Sequence, residues 1–157
     1  EVKAYILLKP PYLSEKEGIE DAVQSAIDAA PHVDKISINP LNVQKNTVVE
    51  KLWFRNEWVA PWLWSVVDVL QKCEDLPVRV YSDPTGGGTR RGAHNCHDCN
   101  KKVLEALKNH RLGLGDLKGL HCNCKSRWNA IVNQSKLRRN GSEPHGYRSG
   151  FTGGRHF

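Results

Sequence analysis

The sequence contains no methionine, even at its first position, and no apolar run of about eighteen residues, the length that marks a membrane-spanning helix. Because a natural chain starts with methionine, we expect Glu1 to be internal and the chain to be a piece of a longer protein. No signal peptide is present either. These absences predict a cytoplasmic protein without membrane association.

Two phosphate-binding motifs are also missing. Gly86-Gly87-Gly88 has neither the Lys-Ser/Thr of a Walker loop nor the spaced glycines of a dinucleotide fingerprint. A phosphate cradle is therefore the weaker interpretation of these glycines. They are better suited to a sharp turn, or to the close approach of a bulky ligand, because glycine tolerates backbone conformations that other residues avoid.

Positive and negative charges are separated along the chain. Residues 1–76 hold eight lysines and arginines against twelve acidic residues, and residues 77–157 hold fifteen against five, so net charges of −4 and +10 make up the overall +6. The basic half indicates a polyanionic partner, most commonly nucleic acid, although basic tails also serve solubility alone. The candidate nucleic-acid-binding residues are Arg90, Arg91, Arg138 and Arg139.

Alternating strand and helix patterns predict an α/β fold with a parallel sheet and right-handed crossovers. Apolar runs predict three strands, over residues 4–8, 35–38 and 78–81. Ser14 with Glu17, and Thr47 with Glu50, form capping boxes at two helix starts, and Pro61 suits the first position of a third helix. Two more helices are predicted, over residues 100–109 and from Ser126.

Several aromatic residues lie between Trp53 and Trp64. Their helical spacing favours packing in the core or against a subunit over base stacking. Trp62 and Trp64 flank the buried stripe of the third helix and are the two that could face something else.

Polar residues follow all three predicted strands. Ligands of parallel α/β folds bind at the carboxyl ends of strands, so three such segments in register predict one ligand-facing rim. The alternative is three ordinary turns whose polar side chains cap helices and backbone. The first segment begins at Lys9, and the candidate cofactor-binding residues of the other two are Asn39, Asn42, Gln44, Ser82 and Asp83.

Two cysteine pairs form the sharpest local motif. Cys96-x-x-Cys99 and Cys122-x-Cys124 are separated by 22 residues, and two thiolate pairs can complete a tetrahedral metal site. His94 or His121 could replace one sulfur. We expect zinc ahead of an iron–sulfur cluster. Free thiols and disulfides are the alternatives, with Cys73 as the buried cysteine left over.

Three long strings resemble a known family: "YILLKPPYLSEKEGIEDAV", "SINPLNVQKNTVVEKLWFRNEWVAPWLWSVVDVL" and "RVYSDPTGGGTRRGAHNCHDC". Residues 2–128 are similar to the second half of the archaeal radical S-adenosylmethionine (SAM) proteins of archaeosine biosynthesis, relatives of the elongator-type radical SAM enzymes. The resemblance implies a partial (β/α)6 barrel, of which the three strands here are the last three. It also implies a [4Fe–4S] cluster, SAM and a tRNA substrate.

The implied chemistry involves two enzymes. A partner of the archaeosine synthase type attaches lysine to a deazaguanine in the D-arm of tRNA. The radical step then cleaves this adduct and leaves the formamidine of archaeosine. The rim residues would face the nucleoside cofactor or the modified base, and the cysteine pairs would form a C-terminal metal site.

The sequence departs from this family at one decisive point. It lacks the C-x-x-x-C-x-x-C triplet that holds the catalytic cluster, so we expect this chain alone to be inactive and the catalytic half to lie upstream or on a separate subunit. The alternatives are a non-catalytic zinc-containing RNA-binding module and a metal-stabilised scaffold for protein contacts. The expected organisation is a half-barrel over residues 1–88, a metal-binding appendage over 89–135 and a flexible basic tail over 136–157.

Overall fold

The computed structural model describes the backbone of residues 1–140 and the side chains of residues 1–134. Three strands form one parallel sheet in the order β1-β2-β3, with Lys3 opposite Lys35 and Lys35 opposite Arg79. The expected α/β class with a parallel sheet is confirmed. The strands are β1 (Lys3–Leu8), β2 (Lys35–Pro40) and β3 (Arg79–Ser82).

Helices follow or precede each strand. They are α1 (Glu15–Ala29), continued by a short 3-10 turn (Ala30–His32), α2 (Val48–Phe54), α3 (Leu63–Lys72), α4 (His97–Leu112) and α5 (Lys125–Asn140). Among the described residues, every helix is too short or too polar to cross a membrane.

The capping boxes act largely as the sequence predicts. Ser14 accepts the Glu17 N–H while the Glu17 carboxylate accepts the Ser14 N–H, and Thr47 accepts the Glu50 N–H at the start of α2. We expected Pro61 to be the first residue of α3. The helix instead begins two residues later, with Trp62 at its N-cap.

The sheet carries all its packed helices on one face. Leu8, Ile36 and Ile38 on that face are fully buried and pack with residues of α1 and α3. The opposite face carries Tyr5 at 66% exposure and Leu7 at 51%. Parallel sheets are normally covered on both faces, so within the described residues this sheet has a face without its usual cover.

The expected boundary at residue 88 does not separate two hydrophobic cores. Val103 and Leu107 of α4 and Trp128 of α5 lie in the same buried cluster as Leu63 of α3. The division into a half-barrel and an appendage therefore stays a prediction about chain organisation. Helix α5 also includes the first five residues of the predicted tail, and residues 141–157 lie outside the described part.

A buried ion pair lies beneath the end of β1. Lys9 Nζ is 2.8 Å from Glu15 Oε2 and donates to the Val59 carbonyl at 3.0 Å, and both charged residues are 5% exposed. Lys9 has a φ of +59°, and a Cβ built on Gly18 would come within 2.9 Å of the Lys9 Cβ. Glycine at position 18 thus allows the lysine backbone to approach α1.

Glu15→Gln should lower the free energy of unfolding by about 3 kcal/mol, because it leaves the Lys9 charge buried without its counter-ion. Urea denaturation measures the loss. Glu20→Gln is the control, since Glu20 is half exposed and its i,i+4 pair with Lys16 should be worth at most about 0.5 kcal/mol. Equal losses for the two variants would contradict this account of the pair.

Candidate metal centre and strand-end cavity

Four cysteine sulfurs converge at one point. Cys96 Sγ lies 3.6 Å from Cys99 Sγ and 3.5 Å from Cys122 Sγ, and Cys99 Sγ lies 3.6 Å from Cys124 Sγ. All four sulfurs are within 4.8 Å of one another. The four cysteines predicted from their spacing are therefore positioned to bind a metal ion.

Two helix starts present these thiols. Cys96 is the N-cap of α4 and Cys99 lies in its first turn, where the positive end of the helix dipole favours thiolate. Cys122 and Cys124 occupy the turn before α5, and the Cys122 carbonyl accepts the Lys125 N–H at 3.0 Å. Each helix start thus supplies one pair of ligands.

The spacing fits a single tetrahedral ion. With metal–sulfur bonds of about 2.3 Å, the sulfurs of a tetrahedral thiolate site lie about 3.8 Å apart. Three of the six separations are 3.5–3.6 Å, close to this value, and the other three are at most 4.8 Å. All five cysteines are free thiols, so the disulfide alternative is absent from this structure.

Burial and hydrogen bonding differ between the thiols. Desolvation opposes ionisation of Cys96, but hydrogen bonds from Cys122 and the other cysteines outweigh it and lower the pKa of Cys96 to about 7. Burial, followed by hydrogen bonding with Cys124, raises the pKa of Cys99. A bound cation reverses the second effect by favouring thiolate at every position, so metal binding releases protons and weakens as pH falls.

The two alternative histidine ligands lie outside the cluster of sulfurs. His94 Nδ1 is 2.9 Å from the Gly92 carbonyl, and His121 is exposed. Neither belongs to the group of potential ligand atoms found among the described residues.

One side chain that contacts the sulfurs was not predicted from the sequence. Trp64 Nε1 donates to Cys124 Sγ at 3.3 Å, and the indole is 1% exposed. Its place beside the buried stripe of α3 was the only signal in the sequence, and the partner could not be inferred from it.

Three of the rim residues line one cavity of about 430 Å³ on the open face of the sheet. Asn39, Asn42 and Asp83 contribute to it, whereas Gln44 and Ser82 do not. Gln44 instead donates to Asn42 Oδ1 at 3.0 Å, and the buried Ser82 hydroxyl donates to the Ile38 carbonyl at 2.7 Å. Ser82 therefore ties β3 to β2.

Other lining residues of this strand-end cavity were not predicted. Tyr5 and Tyr81 line it from β1 and β3, and Lys3 Nζ lies 4.4 Å and 5.0 Å from their ring centroids. Hydrogen bonds with Tyr81 and Tyr5 raise the pKa of Lys3. Arg111 of α4 closes one side, 3.3 Å from the Asp83 carboxylate. The alternation of side chains between the two faces of each strand was the sequence signal that could have identified Tyr5 and Tyr81.

Lys9 does not serve as a rim residue. We expected its segment to face a ligand, but the side chain turns under the sheet to meet Glu15. The physical reason is the buried carboxylate of Glu15 in the first turn of α1, which attracts the Lys9 ammonium group.

The glycine loop favours the turn interpretation. Gly86 and Gly88 have φ values of +68° and +81°. The N–H groups of Gly87 and Gly88 donate to the Pro84 and Ala93 carbonyls at 3.2 Å and 2.8 Å, so they are not free to hold phosphate.

The candidate arginines have different environments. Arg90 is exposed, and the described residues give it no ion-pair partner. Arg91 donates to Glu50 Oε2 at 2.6 Å, lies 4.9 Å from the centroid of the Trp53 ring and lowers the pKa of Glu50. Arg91 thus has a structural role, and the side chains of Arg138 and Arg139 lie outside the described residues.

Comparison with known proteins gives a consistent picture. No protein-family profile and no solved structure matches the chain. Archaeosine synthase subunit beta of Methanosarcina acetivorans is 42% identical over 137 residues, covering 83% of this chain and 39% of the relative. The protein of the same name from Thermococcus kodakarensis is 43% identical over 141 residues, covering 87% and 44%.

An uncharacterized protein of Methanocaldococcus jannaschii is 34% identical over 137 residues, covering 83% of this chain and 38% of the relative. The chain therefore spans about two fifths of the length of the curated relatives it matches. It is related to proteins of archaeosine biosynthesis.

Cys99→Ser should abolish stoichiometric metal binding, because it removes a buried ligand and leaves three sulfurs. Metal analysis of the purified protein by mass spectrometry, with thermal unfolding in parallel, checks this. Cys73→Ala is the control, since Cys73 is the buried C-cap residue of α3 and lies outside the cluster. Loss of metal in the control, or full retention in Cys99→Ser, would contradict the four-sulfur assignment.

Proposed function

We propose that this chain is the C-terminal portion of a radical SAM enzyme that modifies tRNA during archaeosine formation. One observation carries the proposal: two proteins named archaeosine synthase subunit beta are 42–43% identical to it over 83–87% of its length. The chemistry is cleavage of a lysine–deazaguanine adduct in tRNA, together with a partner lyase or synthase. The site of action is the cytoplasm, where tRNA is found.

The sheet supports a half-barrel. Three parallel strands with their packed helices on one side are what half of a (β/α) barrel looks like, and the open face is then the lumen side. The strand-end cavity runs along this face from Lys3 to the carboxyl ends of the strands, the end at which barrel enzymes bind ligands. The remaining strands come from the missing N-terminal half or from a separate subunit.

The cavity offers donors and acceptors suited to a nucleoside. Asn39 and Asn42 each carry an amide that both donates and accepts hydrogen bonds, and Asp83 accepts only. These groups would orient the modified base or the nucleoside of SAM. The SAM and [4Fe–4S] of the other half supply the radical chemistry, while this chain binds, orients and excludes water.

The cysteine site supports a single structural ion, with zinc as the first choice. Sulfurs that share one ion lie as close together as these do, whereas a four-iron cluster separates its cysteine ligands by the width of its own core. A closed four-sulfur zinc site leaves no position for substrate and contributes folding energy. Its role here is to hold α4 and α5 against α3.

A second candidate function is a non-catalytic zinc-containing RNA-binding module or split subunit. The absence of the cluster triplet and the +10 charge of residues 77–157 favour it. It differs from the leading proposal in one respect, since it requires this chain to bind tRNA without the other half.

The enzyme proposal can be tested with a chimera. The matched 141-residue segment of the Thermococcus kodakarensis beta subunit is replaced by the corresponding part of this chain. We expect archaeosine to be restored in the tRNA of a strain lacking its own beta subunit, as measured by nucleoside mass spectrometry. Asn39→Ala in the chimera should lower the archaeosine content by at least tenfold, because it removes a ligand-orienting amide.

The control variant is Gln24→Ala, because Gln24 is exposed on α1, bonds to Asp28 and lies outside the strand-end cavity. The 157-residue chain by itself should convert no SAM to 5′-deoxyadenosine. A soluble chimera without archaeosine would argue against the enzyme proposal, and SAM cleavage by the chain alone would overturn the division of labour.

In the 157-residue chain, Arg90→Gln should weaken tRNA binding. The negative slope of log affinity against log salt should also become shallower by about one, as expected when one phosphate contact is lost. Fluorescence anisotropy with labelled tRNA over a range of salt concentrations measures both. Lys16→Gln is the control, since Lys16 pairs with Glu20 on the acidic part of the chain. Equal effects of the two substitutions would show that Arg90 makes no specific phosphate contact.

A further inference from the structure

Trp64 is held rigidly beside the candidate metal centre. Its indole Nε1 lies 3.3 Å from Cys124 Sγ, and its backbone N–H donates to Asn95 Oδ1 at 3.1 Å. Lys125 Nζ lies over the indole at 5.1 Å from the ring centroid. Because the ring is 1% exposed, it has no room to turn its N–H elsewhere.

The sulfur that accepts this bond is one with little access to water. Cys99 and Cys124 are buried, whereas Cys96 and Cys122 are partly exposed. Four thiolates around a divalent ion leave a net charge of −2, and a buried anionic ligand needs donors or cations nearby to offset the loss of hydration. Water can serve the exposed pair, but Cys124 depends on the protein.

We propose that Trp64 is a positioning residue of the metal centre, whose indole N–H orients the Cys124 thiolate and stabilises its charge, with Lys125 on the indole face. This inference rests on the proposed metal site. Outer donors of this kind fix the direction in which a ligand presents its lone pair. The indole N–H also offsets the thiolate charge that burial leaves without water, and in this way it tightens metal binding without touching the metal.

Trp128 provides a matched comparison within the same core. It is also buried, at 6% exposure, but its Nε1 donates to the Ser65 hydroxyl at 2.8 Å. Trp64→Phe and Trp128→Phe thus remove the same atoms from neighbouring positions, and only the first removes a bond to sulfur.

Zinc affinity of the 157-residue chain is measured by competition with a chromogenic chelator. Trp64→Phe should bind zinc 10- to 100-fold more weakly, the usual effect of losing an outer-shell donor, and Trp128→Phe should stay within about threefold of the parent. In the cobalt-substituted protein, loss of the N–H raises the energy of the sulfur lone pair. The thiolate-to-cobalt charge-transfer band should therefore move to longer wavelength in Trp64→Phe alone.

Two results would overturn the inference. One is equal zinc affinity and an unchanged cobalt band in the two variants, which would reduce Trp64 to a packing residue while leaving the metal site standing. The other is a parent chain that binds neither zinc nor cobalt, which would remove the metal site itself. If Trp64→Phe does not fold, β-(3-benzothienyl)alanine at position 64 keeps the indole outline without the N–H, and the same two measurements decide.

Discussion

The buried carboxylate of Glu15 joins the parts of this fold that the sequence keeps far apart. It is paired with Lys9 at 2.8 Å, accepts the Trp62 N–H at 2.8 Å, and accepts the Ser65 hydroxyl at 2.6 Å. Ser65 in turn accepts the indole N–H of Trp128 at 2.8 Å. The end of β1, the starts of α1 and α3, and a turn of α5 are thus linked through one side chain.

The candidate metal centre holds the same turn of α3 from the other side. Trp64, next to Ser65 along the chain, donates to Cys124, and its backbone is tied to Asn95 just before α4. Asn95 donates to Asn100, which reaches the Gly88 carbonyl at 3.4 Å. The loop after β3 is therefore held by the same turn of α3 that contacts the candidate metal centre. The packed helices lie on one face of the sheet, and the cavity lies on the other.

Local signals in the sequence were sufficient for the elements and for the four cysteines. Apolar runs located the strands, capping residues located α1 and α2, and the spacing of two cysteine pairs located the sulfurs. Long-range partners were not predictable, because Glu15 and Ser65, or Trp64 and Cys124, meet across 50 and 60 positions of chain. The same limit explains the wrong expectation for Lys9, whose neighbours in sequence place it at a rim while its ion pair places it in the core.

The buried ion pair and the four-cysteine cluster both lie on the helix-covered side of the sheet. The sheet has three strands, the longest of six residues, and one of its faces contributes little to the core. Buried apolar area is the main favourable term in folding, and within the described residues the open face, with Tyr5 and Leu7 exposed, contributes little of it. A metal ion bound to the four thiols would add folding energy that does not depend on covering the sheet. The arrangement thus places the four thiols and the buried charges behind the sheet, and leaves Asn39, Asn42 and Asp83 lining the cavity on its open face.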